Sequence, residues 1–134
     1  MNIWRRKVAR AYIFDKDKKL FLIAKSSLPP YTYHLPGGGI DRKETGKDAL
    51  LRELGEELNI LPHNVISISF LSKVHTSVLY IPHEMDIFLV TVHDVDIKLS
   101  WEIHSVAWVA FEDLHTFLDR DSVTVLTLVQ ESML

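Results

Sequence analysis

The stretch from Gly37 to Ile60, GGGIDRKETGKDALLRELGEELNI, constrains this chain more than any other. It crowds consecutive glycines and clustered carboxylates into one turn and one helix. Thr45 predicts an N-cap, Ala49, Leu50, Leu51, Leu54 and Leu58 supply the apolar period, and Asn59 and Pro62 supply the stop signals. At about 100° per residue, Glu53, Glu56 and Glu57 fall in one sector beside the leucine sector. One side of the helix packs and the other presents acids.

Acids at helical spacings of three and four repel by a few tenths of a kcal/mol each, so a helix left to its own stability would not favour this pattern. A divalent cation reverses the sign. Oxygen-rich clusters suit Mg²⁺ or Mn²⁺, which keep several waters and can also hold substrate phosphates. Glu44, just before the helix, can add a further carboxylate or orient the others, and Arg52 can pair with Glu56 one turn on.

Gly38, five residues, Glu44, seven residues, then Arg52-Glu53-Leu54-Gly55-Glu56-Glu57-Leu58-Asn59-Ile60 resembles the signature box of the Nudix hydrolases. The family pattern has glycine where this chain has Asn59, and Asn is the best non-glycine residue for a helix ending in the left-handed conformation. Lys43 also replaces a glycine common just before the first Glu of the box. The resemblance implies an α+β chain with the Nudix fold, an α/β/α sandwich with a mixed β-sheet, in a single domain over residues 1–134. It further implies hydrolysis of a pyrophosphate bond in a nucleoside diphosphate-linked compound, with Mg²⁺ or Mn²⁺ as cofactor. In that chemistry the cation neutralises pyrophosphate oxygens and lowers the pKa of a bound water, and a carboxylate accepts the proton. Glu56 and Glu57 are then expected as principal ligands and Glu53 as a ligand or the base, with Arg52 and Glu44 completing the catalytic set. Backbone at Gly37 and Gly38 would approach metal or phosphate where a side chain would obstruct. The segment Trp101 to Val109 is similar to the family's later stretch in which a Glu precedes the Trp of a strand, which makes Glu102 the candidate metal ligand from outside the box.

Elsewhere the chain reads as scaffold. Residues 5–14 and 19–25 predict a hairpin, turning at Asp15-Lys16-Asp17-Lys18. Lys25 and Arg10 lie close to where the family often has basic residues near the substrate's phosphates, although a strand-end Lys is commonly just solvated. His34 stands where the family often has Trp and is read as a packing substitute. Val65 to Val74 and Ile87 to Val92 predict further strands, with Lys73 to Asp86 a long connection in which Tyr80 could stack on a base. His75, His83 and His93 lack the paired spacing of a transition-metal site. Helices are expected from Glu112 through Leu118 and over Val123 to Glu131.

Composition narrows the partners. The 134 residues contain no cysteine, which excludes disulfides, zinc thiolates and thiol catalysis. No segment approaches the roughly 20 apolar residues of a membrane span or a signal peptide's apolar run, so a cytoplasmic location and no membrane partner are expected. A net charge of −3, with basic residues clustered only at Arg5, Arg6, Lys7 and Arg10, lacks the cationic track that would hold RNA. A small nucleotide, a nucleoside triphosphate or nucleoside diphosphate derivative, is the expected substrate; RNA is not expected, and a homodimer is left open. The competing readings are a noncatalytic Nudix-like nucleotide-binding or regulatory domain, against which the intact acids argue, and a metal-binding structural module.

Overall fold

The computed structural model describes residues 6–78 and 80–134; Arg5, counted above with the basic cluster, lies outside them. Strands β1 (Arg6–Asp15) and β2 (Leu20–Ser26) form the expected hairpin, and the short β3 (Tyr33–His34) and β4 (Gly37–Gly39) precede helix α1 (Gly46–Leu58). Strands β5 (Val65–Val78), β6 (Ile81–Val92) and β7 (Ile103–Val109) follow, then the short helices α2 (Leu114–Phe117), α3 (Arg120–Val123) and α4 (Leu126–Ser132). The strand order is β3-β2-β1-β6-β5, with β4 paired to β1 and β7 to β2. Among the described residues only β1 and β6 run parallel and every other pairing is antiparallel, so the sheet is mixed.

Alternation along the strands sends side chains to two faces, and each face is covered by helix. Ala9, Ala11 and Ile13 of β1 join Leu22, Ala24 and Val90 beneath Leu50, Leu54 and Leu58 of α1. Tyr12, Phe21, Ile23 and Leu89 point the other way, against Leu114 and Val129 of the C-terminal helices and Leu118 just after α2. This is the α/β/α sandwich.

Helix α1 begins and ends on the expected residues. The Thr45 hydroxyl accepts from the Asp48 amide at 3.1 Å. Asn59 takes φ 58° and ψ 30°, its amide donating to Gly55 O at 3.2 Å while the Ile60 amide reaches Leu54 O at 3.1 Å, so orphan carbonyls of the last turn are satisfied.

The connection expected between Lys73 and Asp86 is instead mostly strand. The β5–β6 ladder runs through Lys73↔Asp86, Val74↔Met85 and His75↔Glu84 to Val78↔Ile81. Val74 and Met85 pack on the core, while on the other face Lys73 lies 2.8 Å from both Glu84 and Asp86. The polar residues that suggest a loop are therefore the exposed face of a hairpin. Val123 to Glu131, expected as one helix, divides into α3 and α4 around Thr124 and Val125. Among the described residues no helix is long and apolar enough to cross a membrane.

Candidate active site

With β6 along one edge, strand β1 holds two different neighbours on the other. Its C-terminal half pairs with β2 at Ile13↔Leu22, whereas Val8, Ala9 and Arg10 face Gly39, Gly38 and Gly37 of β4. The glycines thereby form a short strand of the sheet that runs beside α1. Gly37 has φ 142°, and a Cβ there would stand 2.0 Å from Ala9 O, so no side chain is possible. A Cβ on Gly38 would come within 2.5 Å of the Glu53 carboxyl carbon.

A cleft of about 230 Å³ opens here, with Glu53, Glu57 and Glu102 on its lining together with Arg6 and Arg10. Gly37 to Gly39 also line it, and Ser26, Leu28, His34 and Ile103 complete the wall. Glu57 is buried. Burial pushes its carboxyl up to about 8, the hydrogen bond and negative charge of Glu53 add to the rise, and Arg10 opposes it. Arg10, whose own pKa burial lowers against the attraction of Glu57, donates to Leu35 O at 3.3 Å and Gly37 O at 3.0 Å. His34 is also held below its ordinary pKa, chiefly by burial; its Nδ1 lies 3.0 Å from Leu35 O.

Arg52 fixes the acids from behind. Its Nε and one terminal nitrogen donate to the two oxygens of Glu44 at 2.8 and 2.9 Å, the other terminal nitrogen donates to Glu53 at 2.9 Å, and a further bond reaches Gly39 O at 3.1 Å. Glu56 lies 3.5 Å from Arg52 as its spacing suggests, but its side chain is 61% exposed and lies outside the cleft lining. Glu44 is likewise outside it, committed to Arg52 and to the Asp41 amide at 2.9 Å. These contacts, Arg52 first, hold the Glu44 carboxyl down at about 2.

The other sequence candidates scatter. Glu102 reaches the cleft from the connection before β7. Lys25 does not line it; its ammonium sits 5.7 Å from the Tyr33 ring centre. Tyr80 is fully exposed at the tip of the β5–β6 hairpin, outside the cleft lining. Arg6 faces the acids although motif reading gave it no role. Its signal was parity, since Arg6 and Arg10 are four residues apart on one strand and share a face.

Whether these residues suit a divalent cation can be judged from the buried acids. Two carboxyls in hydrogen-bond contact cannot both ionise cheaply without a positive partner, and Gly38 leaves backbone beside them. Among the described residues no three His, Asp or Glu side chains form a ready-made cage. Mg²⁺ does not need one, being bound through one or two carboxylates together with water and substrate phosphates. The donor set fits.

A family model described as the NUDIX domain matches residues 4–128. The chain is 46% identical over 46 residues to an RNA pyrophosphohydrolase of Gluconobacter oxydans, covering 34% of this chain and 27% of that protein. It is 32% identical over 68 residues to an RNA pyrophosphohydrolase of Zymomonas mobilis, covering 51% and 44%. The chain thus spans less than half the length of these curated relatives. A crystal structure of a C. elegans Ap4A hydrolase binary complex superposes with a TM-score of 0.83 at 23% identity, over 96% of this chain and 97% of that one. The relatives' names overturn the expectation that RNA is not a partner. That expectation rested on net charge, whereas a 5′ end meets local charge, and Arg6 and Arg10 line the cleft.

Proposed function

The chain belongs to the Nudix hydrolase family, and from that membership we propose that it hydrolyses a pyrophosphate bond in a nucleoside diphosphate-linked compound. The observation that carries this reading is the two-signed cleft, which Glu53, Glu57 and Glu102 line together with Arg6, Arg10 and the glycines Gly37 to Gly39. A polyphosphate needs both signs: cations to hold its oxygens and carboxylates to organise the attacking water.

Glu53 and Glu57 would hold Mg²⁺ or Mn²⁺, with Glu102 as a further oxygen donor and the backbone of Gly37 and Gly38 alongside. When bound, the cation supplies charge neutralisation and a water of lowered pKa. Arg6 and Arg10 clamp non-bridging oxygens, and Arg52 keeps Glu53 aimed into the cleft. Water attacks one phosphorus, the bridging P–O bond breaks, and the water's proton passes to a carboxylate of the Glu53–Glu57 pair. The group recognised is a nucleoside 5′-polyphosphate, carried by a free nucleotide or by the 5′ end of RNA. Glu56, exposed beside Arg52, serves as an outer ligand or as a further charge on the acidic face.

The test is a panel of nucleoside triphosphates, nucleoside diphosphate derivatives, dinucleoside polyphosphates and 5′-triphosphorylated RNA, incubated with enzyme and Mg²⁺ and resolved by mass. Cleavage at a pyrophosphate bond in at least one class, abolished by chelator, is expected. No turnover of any member by well-folded protein would remove the reading.

A further inference from the structure

Beside the cleft lies a second cavity of about 300 Å³ lined by Lys25, Ser26, Tyr31 and His104. Ser26 lines both, so the two are neighbours. We infer that this cavity is a subsite for a guanine base, stacked on Tyr31 with Lys25 at its acceptor edge, an assignment that rests on reading the cleft as the polyphosphate site.

The cavity is built around an irregularity in the sheet. Lys25 pairs with Ser105 but Ser26 pairs with Ile103, which leaves His104 as the extra residue of a β-bulge. Bulges re-aim side chains and recur beside active sites. Here the bulge turns His104 toward the same space as Lys25. The loop above contributes Tyr31, whose φ of 59° is unusual for a bulky residue and is held by its amide donating to Leu28 O at 3.0 Å. Such outliers point toward ligand sites. The Tyr31 side chain stays 55% exposed, an aromatic surface left open at the cavity. The same loop is tied to the cleft's wall, since the Ser27 amide donates to Glu102 O at 2.9 Å.

The chemistry selects the occupant. An open tyrosine ring favours a flat π-system, and base–aromatic stacking tolerates any base. Lys25 adds the selection, because an ammonium only donates and guanine alone presents the adjacent O6 and N7 acceptors, whereas cytosine turns an amino donor to the corresponding edge. A nucleotide whose phosphates lie against Arg10 would pass Ser26 on the way to Tyr31.

The measurement is equilibrium binding of guanosine 5′-monophosphate and cytidine 5′-monophosphate to the full chain and its variants, by calorimetry without added metal. Tyr31→Ala should weaken guanosine monophosphate about tenfold, the loss of one stack, while Tyr31→Phe stays within about twofold because the ring face remains. Lys25→Met should shrink the preference for guanosine over cytidine monophosphate. No turnover is read, so a catalytically inert chain leaves this experiment intact, and a failed subsite leaves hydrolysis intact. Equal affinity of the wild type for the two nucleotides, or unchanged affinity in Tyr31→Ala, would overturn the assignment.

Discussion

Arg52 and Glu44 meet in a two-point ion pair, Nε to one carboxylate oxygen at 2.8 Å and a terminal nitrogen to the other at 2.9 Å. The pair joins the loop before α1 to the second turn of that helix. Because the guanidinium is planar, fixing one edge on Glu44 aims the remaining nitrogen at Glu53, 2.9 Å away. Glu44 thus positions a cleft carboxylate without entering the cleft.

Arg52→Lys should therefore lower kcat by about ten- to a hundredfold, the usual range for residues that orient a ligand. A lysine ammonium cannot satisfy Glu44 bidentately and also direct a fixed bond to Glu53. The measurement is kcat and KM on the best substrate of the panel, with thermal melting as the control for folding. Full activity in a folded variant would show that Glu53 holds its place without the fork.

Acid should expose the same pair in stability. The Glu44 carboxyl titrates near 2 in the fold, below its ordinary 4.5, so its stabilisation is fully present above about 4.5 and is lost as pH falls toward 2. Melting temperatures of wild type and Glu44→Gln should differ at pH 6 and converge as the pH approaches that lower limit. A constant difference across the range would mean that the pair's charge is not what stabilises.

Glu57→Gln separates catalysis from folding in the opposite sense. With a cation ligand gone, kcat should fall at least about a hundredfold. The metal-free protein should melt no lower than wild type at neutral pH, since the change is nearly isosteric and removes a carboxyl whose ionisation burial and Glu53 both oppose in the fold. Near-normal turnover by folded Glu57→Gln would sink the cation assignment.

The sequence made α1 readable because everything that builds it is local: Thr45 and Asp48, the leucine period, and Asn59 lie within one short window. The box also named Glu53 and Glu57. Partition of the acids was not legible, because whether Glu53, Glu56 or Glu57 faces the cleft depends on how the helix rolls against Ala9, Ala11 and Val90, residues far away in sequence. The opposing cations depended on register for the same reason. Arg10 meets the glycines only because β1 leaves β2 and pairs with β4, a long-range choice that local pattern does not record. The β5–β6 hairpin was hidden because its outward face carries Lys73, His75 and Glu84, residues that read as loop until Val74 and Met85 are seen packing beneath them.

Gly38→Ala tests how tightly the glycine strand and the acid pair are fitted. The new methyl would stand 2.5 Å from the Glu53 carboxyl carbon, closer than non-bonded atoms approach, and the obstructing atom is the end of a side chain rather than backbone. Glu53 can yield by rotating, so the fold should survive with a melting point close to wild type. That rotation must break the 2.9 Å bond to Arg52 or move the carboxylate out of the cleft, and kcat should fall about tenfold or more. The double variant Gly38→Ala/Glu53→Gln should be scarcely worse than Glu53→Gln alone, because both changes act on one carboxylate and such effects do not add. Fully additive losses would show that Gly38 acts through something other than Glu53, such as direct backbone contact with the phosphates.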